Sequence, residues 1–320
     1  MEFAPIILFV YNRLWHTRKT VEALQKNELA IDSELFIFAD GPKPNASDES
    51  KAKVDDVRQY IHTIKGFKNI TIEESSENKG LANSVIEGVT KIINQFGKVI
   101  VVEDDIVTHP FFLRFMNEAL DKYAVNRQIF MIGAYCYDVR IPFYYKKNIY
   151  LTPRYCSWGW ATWQNRWQYA DWNIDNYSLL KNYDNVKKAK EIEMFNQGSN
   201  DLFPLLLRQQ RKEIDSWAIR WQYCMYLHNG YTLQPVFSLS YNIGFDGSGV
   251  HCPTSINSST KHSSKKVPLK YNIKLPSYIK TNKRIIKNYK LTQDSGHMPT
   301  IKERILYFIS KRLKKWNIQK

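Results

Sequence analysis

Cysteine is scarce: the 320 residues hold four, Cys136, Cys156, Cys224 and Cys252, with no CxxC or other ligand spacing. Neither a disulfide framework nor a zinc site is suggested by that pattern. Glycine (13) and proline (12) are too few for a fibrous or low-complexity chain, and 43% hydrophobic with 24% charged residues is a globular composition. No apolar run approaches the ~18–20 residues that a bilayer-spanning helix needs. The longest candidate, Pro5 to Tyr11, follows no basic leader and precedes no small-residue cleavage site, so it does not read as a signal peptide. These absences predict a cytoplasmic protein.

Acidic residues are nearly missing from the end of the chain. Between Lys261 and Lys320 only Asp294 and Glu303 face 17 Lys and Arg, while the other 260 residues hold 29 bases and 29 acids. The net charge of +15 therefore belongs to the tail. A neutral body with a basic tail points to an electrostatic tether more than to a nucleic-acid binder.

What is abundant is β-strand and helix alternation, and then aromatics. Ile6 to Tyr11 reads as a buried strand, Leu14 to Gln25 as a helix, Glu34 to Ala39 as a strand, Lys51 to Ile64 as a helix and Ile70 to Glu74 as a strand. After the turn Asn78-Lys79-Gly80, the apolar residues Leu81, Val85, Ile86, Val89, Ile92, Ile93 and Phe96 keep helical spacing, and Lys98 to Val102 reads as a fourth strand. Such alternation predicts βαβ units and a mainly parallel sheet with helices on both faces, whose ligands bind beyond the carboxyl ends of the strands. After about Asp138 aromatics concentrate, with Trp158, Trp160, Trp163, Trp167 and Trp172 inside fifteen residues. Helices are expected from about Asn200 and from Trp217, and a strand over Gln234 to Ile243. Asn257 to Lys266, rich in Ser and Lys, reads as a linker, and Ile301 to Trp316 as a basic amphipathic helix.

The run Glu103-Asp104-Asp105 at the end of a buried strand sets clustered negative charge where water is scarce. That is costly unless a cation or hydrogen-bond donors compensate. Mg²⁺ or Mn²⁺ would do so, taking one or two carboxylates plus the oxygens of a substrate diphosphate. A solvated acidic turn capping the helix that starts near Pro110 is the alternative.

Taken in order, Tyr11-Asn12-Arg13, Asp40-Gly41, Asn78-Lys79-Gly80 and Glu103-Asp104-Asp105 resemble the GT-A glycosyltransferases. With Trp158-Gly159-Trp160-Ala161-Thr162-Trp163, Asp215-Ser216-Trp217 and Gly244-Phe245-Asp246 to His251, the chain looks like a bacterial group of these enzymes distantly similar to N-acetylglucosaminyltransferase I. The resemblance covers roughly Pro5 to Cys252. It implies an α/β GT-A (Rossmann-like) nucleotide-diphospho-sugar transferase domain over 1–256, with a donor half to about 137 and an acceptor half from about 138 to 256; the resemblance does not cover the tail, where charge and periodicity give a basic linker and amphipathic helix over 257–320.

The activity so implied is metal-dependent, inverting transfer of a hexosyl or N-acetylhexosaminyl group from a nucleotide-diphosphate sugar, UDP-sugar foremost. The acceptor would be a glycan or lipid-linked sugar in surface polysaccharide synthesis. Carried onto this sequence, the resemblance implies that Arg13 and Asp40 hold the nucleoside, with Gly80 near the diphosphate. Asp104 would lie near ribose or donor sugar with Glu103 beside it, and Asp105, aided by His251, would ligate Mn²⁺ or Mg²⁺. Asp215 would be the general base, with the helix N-cap as its ordinary alternative. Trp158 or Trp160, flanking Gly159, would touch a sugar, while the other indoles fill the core. The tail helix would rest on an anionic membrane surface at its cytoplasmic side, and nucleic acid is not an expected partner. Rival readings are a sugar nucleotidylyltransferase, a nucleic-acid-binding protein that uses the tail, and a sugar-binding protein with a decayed transferase site.

Overall fold

A computed structural model describes residues 2–181, 186–247, 270 and 272–295. The chain runs β1 (Ile6–Val10), α1 (Leu14–Gln25), β2 (Glu34–Ala39), α2 (Asp48–Ile61), β3 (Asn69–Glu74), α3 (Leu81–Phe96), β4 (Lys98–Glu103), β5 (Ile106–Thr108), α4 (Phe112–Tyr123) and β6 (Ile129–Gly133). It continues through β7 (Ile149–Thr152), β8 (Trp160–Trp163), α5 (Gln164–Trp167), α6 (Val186–Phe195), α7 (Leu202–Gln210), α8 (Trp217–Leu227), β9 (Tyr231–Pro235), β10 (Ser240–Asn242) and α9 (Lys283–Ser295).

Eight strands form one sheet in the order β3-β2-β1-β4-β8-β6-β9-β7, and β5 pairs with β10 in a small second one. β1, β2, β3 and β4 are parallel, β8 inserts antiparallel between β4 and β6, β6 and β9 are parallel, and β7 is antiparallel at the edge. The architecture is thus a mixed α/β sheet, mostly parallel, flanked by helices.

The period of two along a strand divides the interior. In β1, Ile6, Leu8 and Val10 join Val21 and Leu24 of α1, Val57 and Ile61 of α2 and Leu113 of α4 in one core. Ile7 and Phe9 face the other way, with Val85 and Val89 of α3 and Trp217 and Trp221 of α8. β4 alternates likewise, so both strands are buried on both faces, which is why they read as unbroken apolar runs. Because β1, β2 and β4 are parallel, their carboxyl ends fall on one edge and present Arg13, Asp40 and the Asp104-Asp105 turn together.

Several expected elements differ from those found. The helix expected from Lys51 begins at Asp48, because the Ser47 hydroxyl caps it by accepting from the Ser50 N–H at 3.3 Å. The single strand expected over Gln234 to Ile243 is two, β9 and β10, in different sheets; Pro235, with no N–H to donate, closes the first. α9 was not anticipated in the basic tail. It buries Ile285 and Tyr289 against Cys136, Val139 and Tyr150. Asn288 Nδ2 donates to Arg140 O at 2.6 Å, and Asp294 accepts from the Asn200 N–H at 2.7 Å. The helix expected over 301–316 lies outside the described residues. No helix among the described residues is long and apolar enough to cross a membrane.

Candidate functional site

At the carboxyl edge of the sheet, Arg13 supplies the positive charge that the acidic turn requires. It stands just before α1, and its guanidinium bridges two carboxylates: Nη2 donates to Asp104 and, at 2.8 Å, to Asp105 Oδ2, while Nε reaches Asp104 Oδ2 at 3.3 Å. Asp104 and Asp105 are each only 5% exposed, so the turn is not a solvated one. Neither acid caps α4, whose N-cap Phe111 has no side-chain bond. The buried Nη1 of Arg13 has no hydrogen-bond partner among the described residues.

The cluster is held from three further sides. Thr20 Oγ1, in the second turn of α1, donates to Asp104 O at 2.7 Å. The β5–β10 pairing brings the chain after β10 back over the turn, where the Ile243 N–H donates to Asp105 O at 2.9 Å and Asn242 Nδ2 to Asp105 Oδ1 at 3.4 Å. Gly244 then packs against Asp105 and Arg13 so closely that a Cβ there would come 3.0 Å from Asp105 Cγ and 2.9 Å from Arg13 Nη1. Two residues on, Asp246 Oδ2 lies 3.1 Å from His16 Nε2 of α1. A cleft of about 410 Å³ opens beside Arg13, lined also by Asn12, Trp15, His16, Lys53 and Asp56.

Among the described residues, three acids face the Arg13 guanidinium, with His16 adding a smaller pull on Asp104. Burial first, then the charges of Asp105 and Asp104, push the Glu103 carboxyl up to about 8. Burial also raises Asp104, against the pull of Arg13. The cluster is therefore short of positive charge. No group of three His, Cys, Asp or Glu among the described residues could cage a metal. A hard divalent ion that shares a substrate diphosphate needs only one or two carboxylates. Asp105 fits that part, since among the described residues its Oδ1 has only the long bond from Asn242.

The other expected residues fall in three groups. Asp40 and Gly80 do come together: Asp40 Oδ1 accepts from Gly41 N–H at 3.0 Å and Lys79 N–H at 2.8 Å, and Oδ2 from Gly80 N–H at 3.0 Å. The carboxylate thus holds the turn before α3, where Gly80 takes φ +75°, a conformation side chains disfavour. Asp215 sits apart from this network, with no hydrogen bond or ion pair joining it to Arg13, Asp104 or Asp105 among the described residues. It pairs with Arg220 Nη2 at 2.7 Å and is half-exposed. The N-cap of α8 is not Asp215 but Ser216, whose hydroxyl accepts from the Ile219 N–H.

The two candidate tryptophans part company. Trp160 is 0% exposed, stacked between Trp167 and Trp217 at 5.7 and 4.8 Å, so no sugar can reach it; β8 turns its side chain into the core. Trp158 is half-buried in an aromatic wall with Tyr135, Tyr137 and Phe245, the last adjoining Gly244. His251 lies outside the described residues.

Sequence reading missed His16, Thr20 and Asn242 as parts of the site. A signal existed for two of them: α1 buries His16, Thr17 and Thr20, a polar set unusual on a core-facing stripe.

No protein-family model matches the chain, nor does any curated protein sequence. Among solved structures it is similar to TarS 1-349 of S. aureus, at 12% identity over 76% of this chain and 60% of that one, with a TM-score of 0.39. A second TarS structure aligns over 77% of this chain and 37% of its own, at 11% identity and TM-score 0.38. UDP-glucose pyrophosphorylase complexed with UDP-glucose aligns at 11% identity over 75% of this chain and 93% of that one, TM-score 0.37. The chain spans less than two thirds of the length of either TarS structure. Likeness at this level does not say which residues react.

Proposed function

We propose that this protein is a glycosyltransferase that moves a hexosyl or N-acetylhexosaminyl group from a nucleotide-diphosphate sugar, UDP-sugar foremost, to a glycan or lipid-linked acceptor. The observation that carries the reading is the Arg13–Asp104–Asp105 cluster. Acids short of positive charge stand at the carboxyl edge of a mostly parallel sheet, beside a cleft, which is where such sheets bind ligands.

In this reading Arg13 fixes both carboxylates in place, and Gly244 lets the chain after β10 pack directly against them. Asp105 would hold Mn²⁺ or Mg²⁺, an ion that offsets charge growing on the departing diphosphate. Asp40 sets the turn at Gly80 whose backbone faces the donor. Asp215, oriented by Arg220, removes the proton from the acceptor hydroxyl as it attacks, and Trp158 with Phe245 offers an apolar wall for a sugar face. The domain assignment remains a catalytic body over 1–256 and a basic segment after it.

A thermal-shift screen of UDP, GDP, CMP and dTDP sugars, with and without Mn²⁺, tests the reading, because a ligand that binds the folded state raises its midpoint. A shift confined to one nucleotide-sugar, larger with Mn²⁺, is expected. Release of UTP when UDP-sugar and pyrophosphate are supplied would assign nucleotidyl transfer instead.

A further inference from the structure

At the β7 end of the sheet, two segments that bear cations and no acids also carry exposed aromatics. Phe143 is 88% exposed and Tyr144 52%, on the loop between β6 and β7, and Tyr278 is 64% exposed ahead of α9. The two segments are tied together: Lys147 Nζ donates to Tyr278 O at 3.1 Å, and the Lys274 N–H to Asn148 Oδ1 at 3.3 Å. Lys280 lies over the Tyr278 ring at 5.0 Å, and Lys146 is exposed beside them. Neither segment contains an acid: none occurs from Val139 to Asn148 or from Asn272 to Gln293, which together hold nine Lys and Arg.

We propose that this face rests on an anionic lipid surface. Cations there meet the negative potential of the headgroups, each contributing about a fivefold gain in binding at low salt. The aromatic side chains account for the choice of a bilayer over a free polyanion. Phe143 has no polar atom to offer a nucleic acid or acidic glycan, and it projects instead of lining a groove on which bases could stack. An apolar side chain that projects between lysines gains by entering the headgroup layer. α9 supports the arrangement by anchoring the second segment, through Ile285, Tyr289 and the Asn288–Arg140 bond. The inference does not depend on the transferase reading and would survive its failure.

The test is co-sedimentation of the full chain with vesicles of phosphatidylglycerol and phosphatidylcholine, against phosphatidylcholine alone. Binding only to the anionic vesicles is expected. Lys146→Glu with Lys147→Glu should lower the partition coefficient at least ~tenfold. Phe143→Ser with Tyr144→Ser should lower it about threefold or more and by the same factor at high salt, because apolar insertion is not screened. Lys51→Glu on α2 should change nothing, and the thermal midpoints of all variants should match. Absence of binding by the unaltered chain, or equal binding by the variants, overturns the proposal. So does a Phe143→Ser, Tyr144→Ser protein that keeps its vesicle binding but loses capture of single-stranded DNA.

Discussion

Gly244 and Asp105, 139 positions apart in the chain, are packed so closely that no side chain fits between them. The Asp105 carboxylate cannot swing away to admit one, since Arg13 holds its Oδ2 at 2.8 Å. Gly244→Ala should therefore break the Arg13–Asp105 bond or displace the 243–246 chain. The expected cost is about 1–3 kcal/mol in urea unfolding, together with loss of donor binding by calorimetry. Full donor affinity in this variant would remove Gly244 from the site.

Asp105→Ala keeps the main-chain bond from Ile243, so the fold should persist while transfer and the Mn²⁺-dependent part of the donor thermal shift disappear. Wild-type turnover by this variant in EDTA would end the assignment of Asp105 to a metal.

Because Ser216 and not Asp215 caps α8, two roles that share one turn can be separated. Asp215→Asn should leave the unfolding midpoint unchanged and reduce transfer by ~10²–10⁴-fold with donor affinity intact. Ser216→Ala should do the converse, costing about 1 kcal/mol of stability with little change in rate per folded molecule.

Asp40→Ala should act through the turn at Lys79 and Gly80. The Lys79 and Gly80 N–H groups lose their acceptor, while Gly41 N–H retains Glu77 O at 3.3 Å, at a cost of about 1–3 kcal/mol. Faster amide exchange at Lys79 and Gly80, read by mass spectrometry, is the signature; unchanged exchange there would show that the turn stands without Asp40.

Arg154, only 7% exposed, is gripped by Asp201 through bonds of 2.6 and 3.0 Å. Burial raises the Asp201 carboxyl, but the charge of Arg154, its hydrogen bonds and those from Ser199 and the main chain together outweigh burial and hold the group below the usual carboxylate range. A depressed pKa contributes stability above the unfolded-state value, ~3.9, and that contribution is lost as pH falls through the folded value. Asp201→Asn should lower stability by about 1–3 kcal/mol at neutral pH and flatten the acid limb of a plot of urea midpoint against pH. An acid limb as steep as the wild type's would place the pH dependence elsewhere.

β1, β2 and β4 were legible because each carries apolar residues to both faces and so appears as an apolar run ended by a turn residue. β3, at the sheet edge, shows instead as alternation, with Ile70 and Ile72 half-buried on either side of an exposed residue. β8 was hidden inside the tryptophan cluster: Trp160, Ala161, Thr162 and Trp163 are all buried, and no alternation marks them as a strand. α9 was masked by its cations, since its buried side carries Asn288 and Thr292 among Ile285, Tyr289 and Leu291. Within the site, the Asp104–Asp105 turn could be found locally, at the end of a strand. Its partnership with Arg13 could not, because it depends on β1 and β4 lying side by side. Gly244 needed the β5–β10 pairing, whose strands are three residues each, too short for any periodicity to register.

The alternation along β1 also constrains how this protein can change. Ile7 and Leu8 are neighbours in sequence but belong to interiors separated by the sheet. Volume lost at Ile7 opens on the side of α3, α5 and α8, and volume lost at Leu8 on the side of α1, α2 and α4. In any drifted descendant, compensating substitutions for adjacent positions of β1 must therefore be sought on opposite sides of the molecule.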